Sequence, residues 1–373
     1  MGIPEKIKAI EDEIHKTQLN KATEFHIGIL KAKIAKLKRE QEENKHGKTV
    51  SSGRGSSGYD VKKEGDATVV LIGFPSVGKS TLLNSLTNAN SRIGAYQFTT
   101  LTAVPGMMNY RGARIQIIDL PGIIKGAASG KGMGKKVLSI ARNADLVLVI
   151  VDVFQPHHYD VLVKELSEIG IKVNSRPPDV IVTRTEKGGI SVNLDHSSQL
   201  SESLVREICK IYGIHNGRIT IREKNLTSDG LIDVLIGNRV YPSCIVVINK
   251  IDLISTKNLN EIIKNFTNNA IPVSADSDIN IEKVKESIFQ KLDFIRIYMR
   301  PKGGNTDFEE PLIVRKGVKV RDICLQLHRN MLRDFKFALI WGESVKFGGQ
   351  KVGLDHVLSD KDVLTIVKKV NAL

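Results

Sequence analysis

The most constraining feature of the sequence is a junction. The almost wholly apolar run Ala67-Thr-Val-Val-Leu-Ile72 passes without a break into Gly73-Phe-Pro-Ser-Val-Gly-Lys-Ser-Thr81. A strand that is apolar on both faces belongs inside a parallel sheet covered by helices. The stretch behind it matches G-x-x-x-x-G-K-[ST], a pattern that signals phosphate binding when a strand precedes it and a helix follows. Both conditions hold here, with the helix predicted to begin near Lys79. The backbone N–H groups of such a turn point inward, and the helix N-terminus adds partial positive charge, so the loop cradles phosphate oxygens. Phe74, Pro75, Ser76, Val77, Gly78 and Thr81 then form the cradle, Lys79 reaches the terminal phosphates, and Ser80 offers a hydroxyl to Mg2+.

Further short apolar runs at 114–118, 145–151 and 244–248 alternate with helical stretches. That alternation predicts a doubly wound, mostly parallel α/β sheet, the G-domain architecture of P-loop NTPases. One crossover is too long. About 90 residues separate the runs ending at Val151 and starting at Cys244, whereas a whole βαβ unit needs about 30. Strand patterns at 179–183, 190–193 and 218–222, and a helix face of Leu200, Leu204, Ile208 and Ile211, predict a small α+β domain inserted there. Residues 3–45 read as a helical hairpin, with Ile3, Ile7, Ile10 and Ile14 on one face, Phe25, Leu30, Ile34 and Leu37 on the next, and Thr23 as a cap. The cationic stretch Lys31–Arg39 suits either a solvated face or an RNA-contacting one.

After residue 296, a strand at 312–315, a helix face of Val320, Ile323, Cys324, Leu327 and Met331, and strands at 337–341 and 362–367 predict a β-grasp unit. Trp341 reads as core rather than as a base-stacking platform. The predicted division is therefore a hairpin at 1–46 and a linker at 47–66. The nucleotide domain takes 67–159 and 241–295, the insertion 160–240, and the β-grasp domain 296–373.

Two more motifs follow the loop in order. Asp119 and Gly122 form D-x-x-G at the end of an apolar strand, where a P-loop enzyme needs a carboxylate to hold Mg2+. Asn249-Lys-Ile-Asp252 follows another buried strand, and Asp252 can accept hydrogen bonds from the ring N–H and exocyclic amino group of guanine, donors that adenine lacks at that edge. Asn249 braces the loop, the Lys250 stem covers the base, and Ser274-Ala275-Asp276 fits a backbone loop facing the guanine carbonyl. The cofactors implied are GTP or GDP with Mg2+.

Composition narrows the setting. Lys and Arg number 55 against 41 Asp and Glu, a net charge of +14, which favours a polyanionic partner such as RNA. The three cysteines, Cys209, Cys244 and Cys324, are far apart and form no C-x-x-C, which suits a reducing, cytoplasmic setting without disulfides or zinc. No apolar run approaches the roughly 20 residues needed to cross a bilayer, so no membrane partner is expected. His157 and His158 read as a solvated loop, with no ligand-spaced companions to make a metal site.

With these motifs in place, the chain resembles the developmentally regulated GTP-binding protein family, an Obg-related branch of the translation-factor-related GTPases. The likeness runs from the helical N-terminus through Gly73–Thr81, Phe98-Thr-Thr-Leu-Thr102, Asp119-Leu-Pro-Gly-Ile-Ile124 and Asn249–Asp252 to Lys336-Phe-Ala-Leu-Ile-Trp-Gly342, which looks like part of a TGS domain. The resemblance implies a cytoplasmic GTPase that associates with ribosomes or RNA and with a dedicated regulatory protein. It places Thr100, with Thr99 as runner-up, in switch I as the contact to Mg2+ and the γ-phosphate. Lys79, Thr100 and Gly122 are the implied catalytic set. The alternative is a nonenzymatic, GTP-regulated scaffold for RNA or protein.

Four departures stand out. Ile123 occupies the position of a water-orienting glutamine and has no donor or acceptor, which predicts slow intrinsic turnover. Ser76 replaces the asparagine with which several relatives hold K+; its hydroxyl or a backbone carbonyl can still ligate a monovalent cation, which leaves K+ stimulation open. Lys125 and Met133 depart from the pattern usual after the D-x-x-G motif.

Overall fold

The computed structural model describes residues 2–18, 20, 23–44, 64–87, 104–120, 140–194, 200–237, 239–266, 270–301 and 303–369. Helices α1 (Ile3–Lys16) and α2 (Glu24–Asn44) come first, followed by β1 (Ala67–Ile72), α3 (Lys79–Leu86), β2 (Val104–Tyr110), β3 (Ala113–Asp119), β4 (Leu146–Asp152) and α4 (His158–Glu168). Next are β5 (Val180–Arg184), β6 (Ile190–Leu194), α5 (Glu202–Ile211), β7 (Gly217–Ile221) and α6 (Ser228–Ile236), then β8 (Ser243–Asn249), α7 (Thr256–Lys264), β9 (Ile271–Pro272) and α8 (Ile281–Lys291). The chain ends with β10 (Phe294–Met299), β11 (Leu312–Arg315), α9 (Val320–Leu327), α10 (Met331–Asp334), β12 (Phe335–Trp341), β13 (Gln350–Val352) and β14 (Asp362–Lys368). These elements form two compact units: 1–56 with 175–241, and 57–174 with 242–373.

In the second unit, a six-stranded sheet runs β2-β3-β1-β4-β8-β9. Every pairing from β3 to β9 is parallel, as the apolar runs predict. All six residues of β1 are buried, so the strand meets packing on both faces. Each fully buried Leu or Ile of this kind stabilises by about 1.5–3 kcal/mol. Because β1 lies between β3 and β4, the strand order reverses there, and the carboxyl ends of β1, β3 and β8 share one edge. That edge is where doubly wound sheets open a crevice for ligands.

The edge strand β2 was not legible in the sequence, since Val104-Pro-Gly-Met-Met108 carries two poor strand formers. It pairs antiparallel with β3, opposite Ile118 at Pro105, and a sheet edge tolerates proline. Helix α4 also departs from the prediction of an insertion starting at 160. It packs on β4 with Leu162 and Leu166 buried, and the chain enters the other unit only at 175.

The same unit carries a second sheet, β11-β10-β14-β12-β13, with Val320, Ile323 and Cys324 of α9 packed on Ile297, Ala338, Ile340 and Leu364. The predicted helix face ending at Met331 breaks earlier. His328 is extended at the C-cap of α9, and Met331 opens α10. Strands β10 and β13 were also missed, the first because it starts at Phe294, directly behind α8. Trp341 is half-buried rather than core: the Arg300 guanidinium lies over its ring, 4.9 Å from the centroid.

In the first unit, α2 shares a core with the inserted segment. Ala32 lies in one cluster with Leu204, Ile208, Ile219 and Leu231, and Ile29 and Ala35 pack against it. A side chain on Gly28 would meet the Leu204 methyls at 3.1 Å, so the helices approach closely there. The sheet β5-β7-β6 mixes antiparallel and parallel pairing. The buried face of α2 is set by Ile27, Leu30 and Ala32, while Phe25, placed on that face by spacing alone, is 39% exposed. Thr23 does not cap α2 with its side chain as predicted; its hydroxyl donates to Gln18 O at 2.6 Å. Within the cationic stretch, Lys31 pairs with Asp229 at 2.7 Å and Lys38 with Glu11 at 3.1 Å. The proposed linker, apart from residues 64–66, lies outside the described residues.

Candidate functional site

Along the carboxyl edge of the parallel sheet lies an open cleft of about 320 Å³, at the lower end of the size range of small-molecule sites. Ser76, Gly78, Lys79, Ser80, Thr81, Asn249, Lys250, Asp252, Ser274 and Asp276 line it. The loop after β1, the end of β8 and the turn after β9 are thus brought together from positions up to 200 residues apart in the numbering.

The loop is shaped by its glycines. Gly78, the N-cap of α3, has φ +90°, a left-handed conformation that costs an L side chain free energy. A Cβ there would also lie 2.3 Å from Asn249 Nδ2. Asn249 needs that space, because its Nδ2 donates to Val77 O at 2.9 Å and its Oδ1 accepts from Ala275 N at 3.0 Å. One buried side chain therefore joins the phosphate loop to the turn at 274–276. Asn249 has the bracing position expected of it.

Lys79 is 8% exposed, and its Nζ donates to Gly73 O at 3.2 Å and Phe74 O at 3.0 Å. Burial lowers its pKa from the ordinary lysine value, and the Asp119 carboxylate raises it partway back. The Ser80 hydroxyl donates to Asp119 Oδ2 at 2.7 Å. Asp119 is itself buried, and its Oδ1 has no hydrogen-bond partner among the described residues. A buried, unpartnered carboxylate oxygen is costly and calls for a proton donor or a cation. Beside a serine hydroxyl, it forms an all-oxygen donor set suited to a hard divalent cation such as Mg2+.

At the other end of the cleft, Lys250 takes φ +68°, and its Nζ is held at 3.1 Å by Asp152 Oδ2. The Asp152 Oδ1 accepts from Phe154 N at 2.8 Å. Asp252 is exposed and free to meet a ligand edge. In the turn, Ser274 Oγ accepts from Ser277 N at 3.2 Å. The Ala275 N–H is taken by Asn249, which leaves the Asp276 N–H as a donor without a partner among the described residues.

Of the predicted residues, Ser76, Gly78, Lys79, Ser80, Thr81, Asn249, Lys250, Asp252 and Ser274 line the cleft. Phe74, Val77 and Ala275 are buried behind it and Pro75 is exposed on the loop, so these four contribute backbone or support. Asp119 stands behind Ser80. Thr99, Thr100, Gly122, Ile123, Lys125 and Met133 lie outside the described residues. Sequence reasoning missed Asp152 and Ser85. Asp152 closes the strand paired with β8 and sits opposite Asn249, so strand register was the signal that could have found it.

Of the two histidines read as a solvated loop, His157 is exposed in the turn before α4 and makes no side-chain cap hydrogen bond, whereas His158 opens the helix half-buried, its ring 4.4 Å from that of Phe74. No cluster of three or more His, Cys, Asp or Glu residues able to hold a metal occurs among the described residues. The cysteines are inert as nucleophiles, burial pushing the Cys244 thiol up to about 12 and the Cys209 thiol to about 11. No helix among the described residues is long and apolar enough to cross a membrane.

A glycine loop on β1, a carboxylate closing β3 and an N-K-x-D loop closing β8 define a P-loop GTPase. Comparison with known proteins agrees. A family model described as a 50S ribosome-binding GTPase matches residues 68–184, and one for the C-terminal region of that domain matches 187–294. A TGS domain model matches 295–368. The chain is 51% identical over 376 residues to an uncharacterised GTP-binding protein of Methanocaldococcus jannaschii, covering 99% of this chain and 94% of that one. It is 45% identical over 371 residues to Developmentally-regulated GTP-binding protein 1 of Xenopus laevis, covering 99% of this chain and 100% of that one. It is also 45% identical over 372 residues to Ribosome-interacting GTPase 1 of Saccharomyces cerevisiae, covering 98% of this chain and 99% of that one. The chain belongs to the developmentally regulated GTP-binding protein family.

Proposed function

We propose that this GTPase hydrolyses GTP to GDP and phosphate in a Mg2+-dependent reaction with slow intrinsic turnover, and that it acts as a ribosome-associated translation factor in the cytoplasm. The observation carrying the reaction is Asp119, buried beside Ser80 with one carboxylate oxygen unpartnered among the described residues. Ser80 and Asp119 would hold the metal, with Thr100 completing the set in the GTP state. Bound there, Mg2+ supplies charge neutralisation for the terminal phosphates.

The chain's own residues do the rest. The N–H groups of 74–81 and the α3 N-terminus hold the phosphate chain. Lys79 exchanges the carbonyls of Gly73 and Phe74 for phosphate oxygens, and its ammonium stabilises charge on the oxygens around the transferred phosphorus. Asp252 accepts from the guanine N1–H and amino group, the Lys250 stem lies along the base, and the 274–276 turn faces its carbonyl. Gly122, the glycine of the D-x-x-G motif, is the remaining member of the implied catalytic set. Water attacks in line, and since Ile123 cannot orient it, turnover is slow. The basic excess of the chain and the name of the yeast relative support a ribosomal or RNA partner. The family resemblance supports a dedicated regulatory protein.

Single-turnover phosphate release, with and without Mg2+ and ribosomes, tests this reading. Asp119→Asn should abolish the Mg2+ requirement for tight GTP binding together with most of the turnover, and Lys79→Ala is the inactive control. Release no faster than in buffer, even with ribosomes present, would favour the nonenzymatic scaffold. Equal turnover in KCl and NaCl would remove K+ from the mechanism.

A further inference from the structure

The base end of the cleft hangs on the backbone of one residue. The N–H of Ala275 is held by Asn249 Oδ1 at 3.0 Å, and its carbonyl accepts from Ser85 Oγ at 2.8 Å, a contact across 190 residues. Asn249 Nδ2 continues to Val77 O in the phosphate loop. Ser85 lies on α3, the helix that opens with Lys79 and Ser80. The contacts close into a ring: phosphate loop to Asn249, Asn249 to Ala275, Ala275 to Ser85, and Ser85 back along α3 to the phosphate loop.

The geometry of Ser85 is unusual for its place. A serine inside a helix commonly turns its hydroxyl back onto the carbonyl four residues earlier. Ser85 Oγ stands 3.3 Å from that acceptor, Thr81 O, and 2.8 Å from Ala275 O. A hydroxyl has one proton to donate, and the shorter contact takes it. Ala275 is 4% exposed, so water cannot readily replace a donor lost there.

We propose that Ser85 is a positioning residue for purine recognition. By holding the Ala275 carbonyl, it keeps the 274–276 turn oriented so that the Asp276 N–H faces a carbonyl, not an amino group, at C6 of the purine. Ser85 does not line the cleft and acts only through Ala275. The inference rests on the guanine reading above and separates two edges of the base. Asp252 reads the N1–H and the amino group at C2, while the turn, kept in place by Ser85, reads C6.

The test is displacement of a fluorescent GDP from the full chain by GDP, by inosine diphosphate, which lacks the C2 amino group, and by the diphosphate of 2,6-diaminopurine riboside, which has an amino group at C6. Ser85→Ala should narrow the preference for GDP over the diaminopurine nucleotide by about three- to tenfold, the worth of one hydrogen bond, and leave the GDP-to-inosine ratio within about twofold. Ser85→Thr, which keeps the hydroxyl, should restore the wild-type preference. Ser85→Cys has nearly the same shape and donates weakly, so it should behave like Ala and takes its place if Ser85→Ala does not fold. Unchanged ratios, or a parallel fall for all three ligands, would overturn the assignment. A wild-type chain that does not prefer GDP over the diaminopurine nucleotide would sink the guanine reading, and this inference with it.

Discussion

Gly78→Ala is the perturbation whose cost can be built from the geometry. Two contributions add. The backbone at residue 78 has φ +90°, where an L side chain costs about 1–2 kcal/mol. The new methyl would also lie 2.3 Å from Asn249 Nδ2, so Asn249 must move and lose its bonds to Val77 O and Ala275 N. Two such bonds contribute about 2 kcal/mol together, which gives a total near 3–4 kcal/mol. Gly317→Ala is the matched control: its φ is +87°, and nothing lies within 4 Å of the added atom, so it carries the backbone cost alone. Urea unfolding should therefore separate the two variants by about 2 kcal/mol. GDP affinity should fall by about thirtyfold in Gly78→Ala, from the same 2 kcal/mol, and stay unchanged in Gly317→Ala. Equal destabilisation of the two variants, with GDP affinity intact in both, would refute the claim that Gly78 is required by Asn249 rather than by its own backbone.

Other outcomes follow from the same geometry. If Lys79 binds phosphate as the ammonium ion, as proposed, the burial that lowers its pKa in the free protein should make GDP affinity fall with rising pH before an exposed lysine near ~10.4 would deprotonate. Asp119 opposes that shift, so Asp119→Asn should move the alkaline limb to still lower pH; a limb at or above the ordinary lysine value would contradict this account. Asp152→Ala removes the partner of Lys250, a pair only partly exposed, and should speed GDP release by about three- to tenfold in a stopped-flow chase. An unchanged release rate would mean that Lys250 covers the base without help.

Comparison of particular elements shows where local pattern suffices. Residues 67–81 could be read as strand, loop and helix because continuous apolar burial, a glycine in a left-handed turn and the lysine behind it are each dictated locally. The same holds for β8 running into Asn249, and for β3 running into Asp119. Strand β2 escaped because its proline and glycine oppose strand formation, and only pairing with β3 overrides them. Met331 was placed on α9 because its spacing fits, although the extended backbone at His328 ends that helix first.

The sequence by itself determined the inventory: a glycine loop between strand and helix, a carboxylate closing a buried strand, an N-K-x-D loop closing another, and a family resemblance since borne out by near full-length relatives. Tertiary structure alone decided how those parts are held. That Asn249 bridges Val77 and Ala275, that Asp152 restrains Lys250, and that Ser85 reaches across to the turn depend on the parallel register of β1, β4 and β8 and on the seating of α3. The same is true of α2, which joins the core of a segment well over a hundred residues further on. Motifs are written in local backbone geometry, which neighbouring residues fix by sterics. Partnerships between distant segments come from packing, which selects among many side-chain contacts that no local pattern distinguishes.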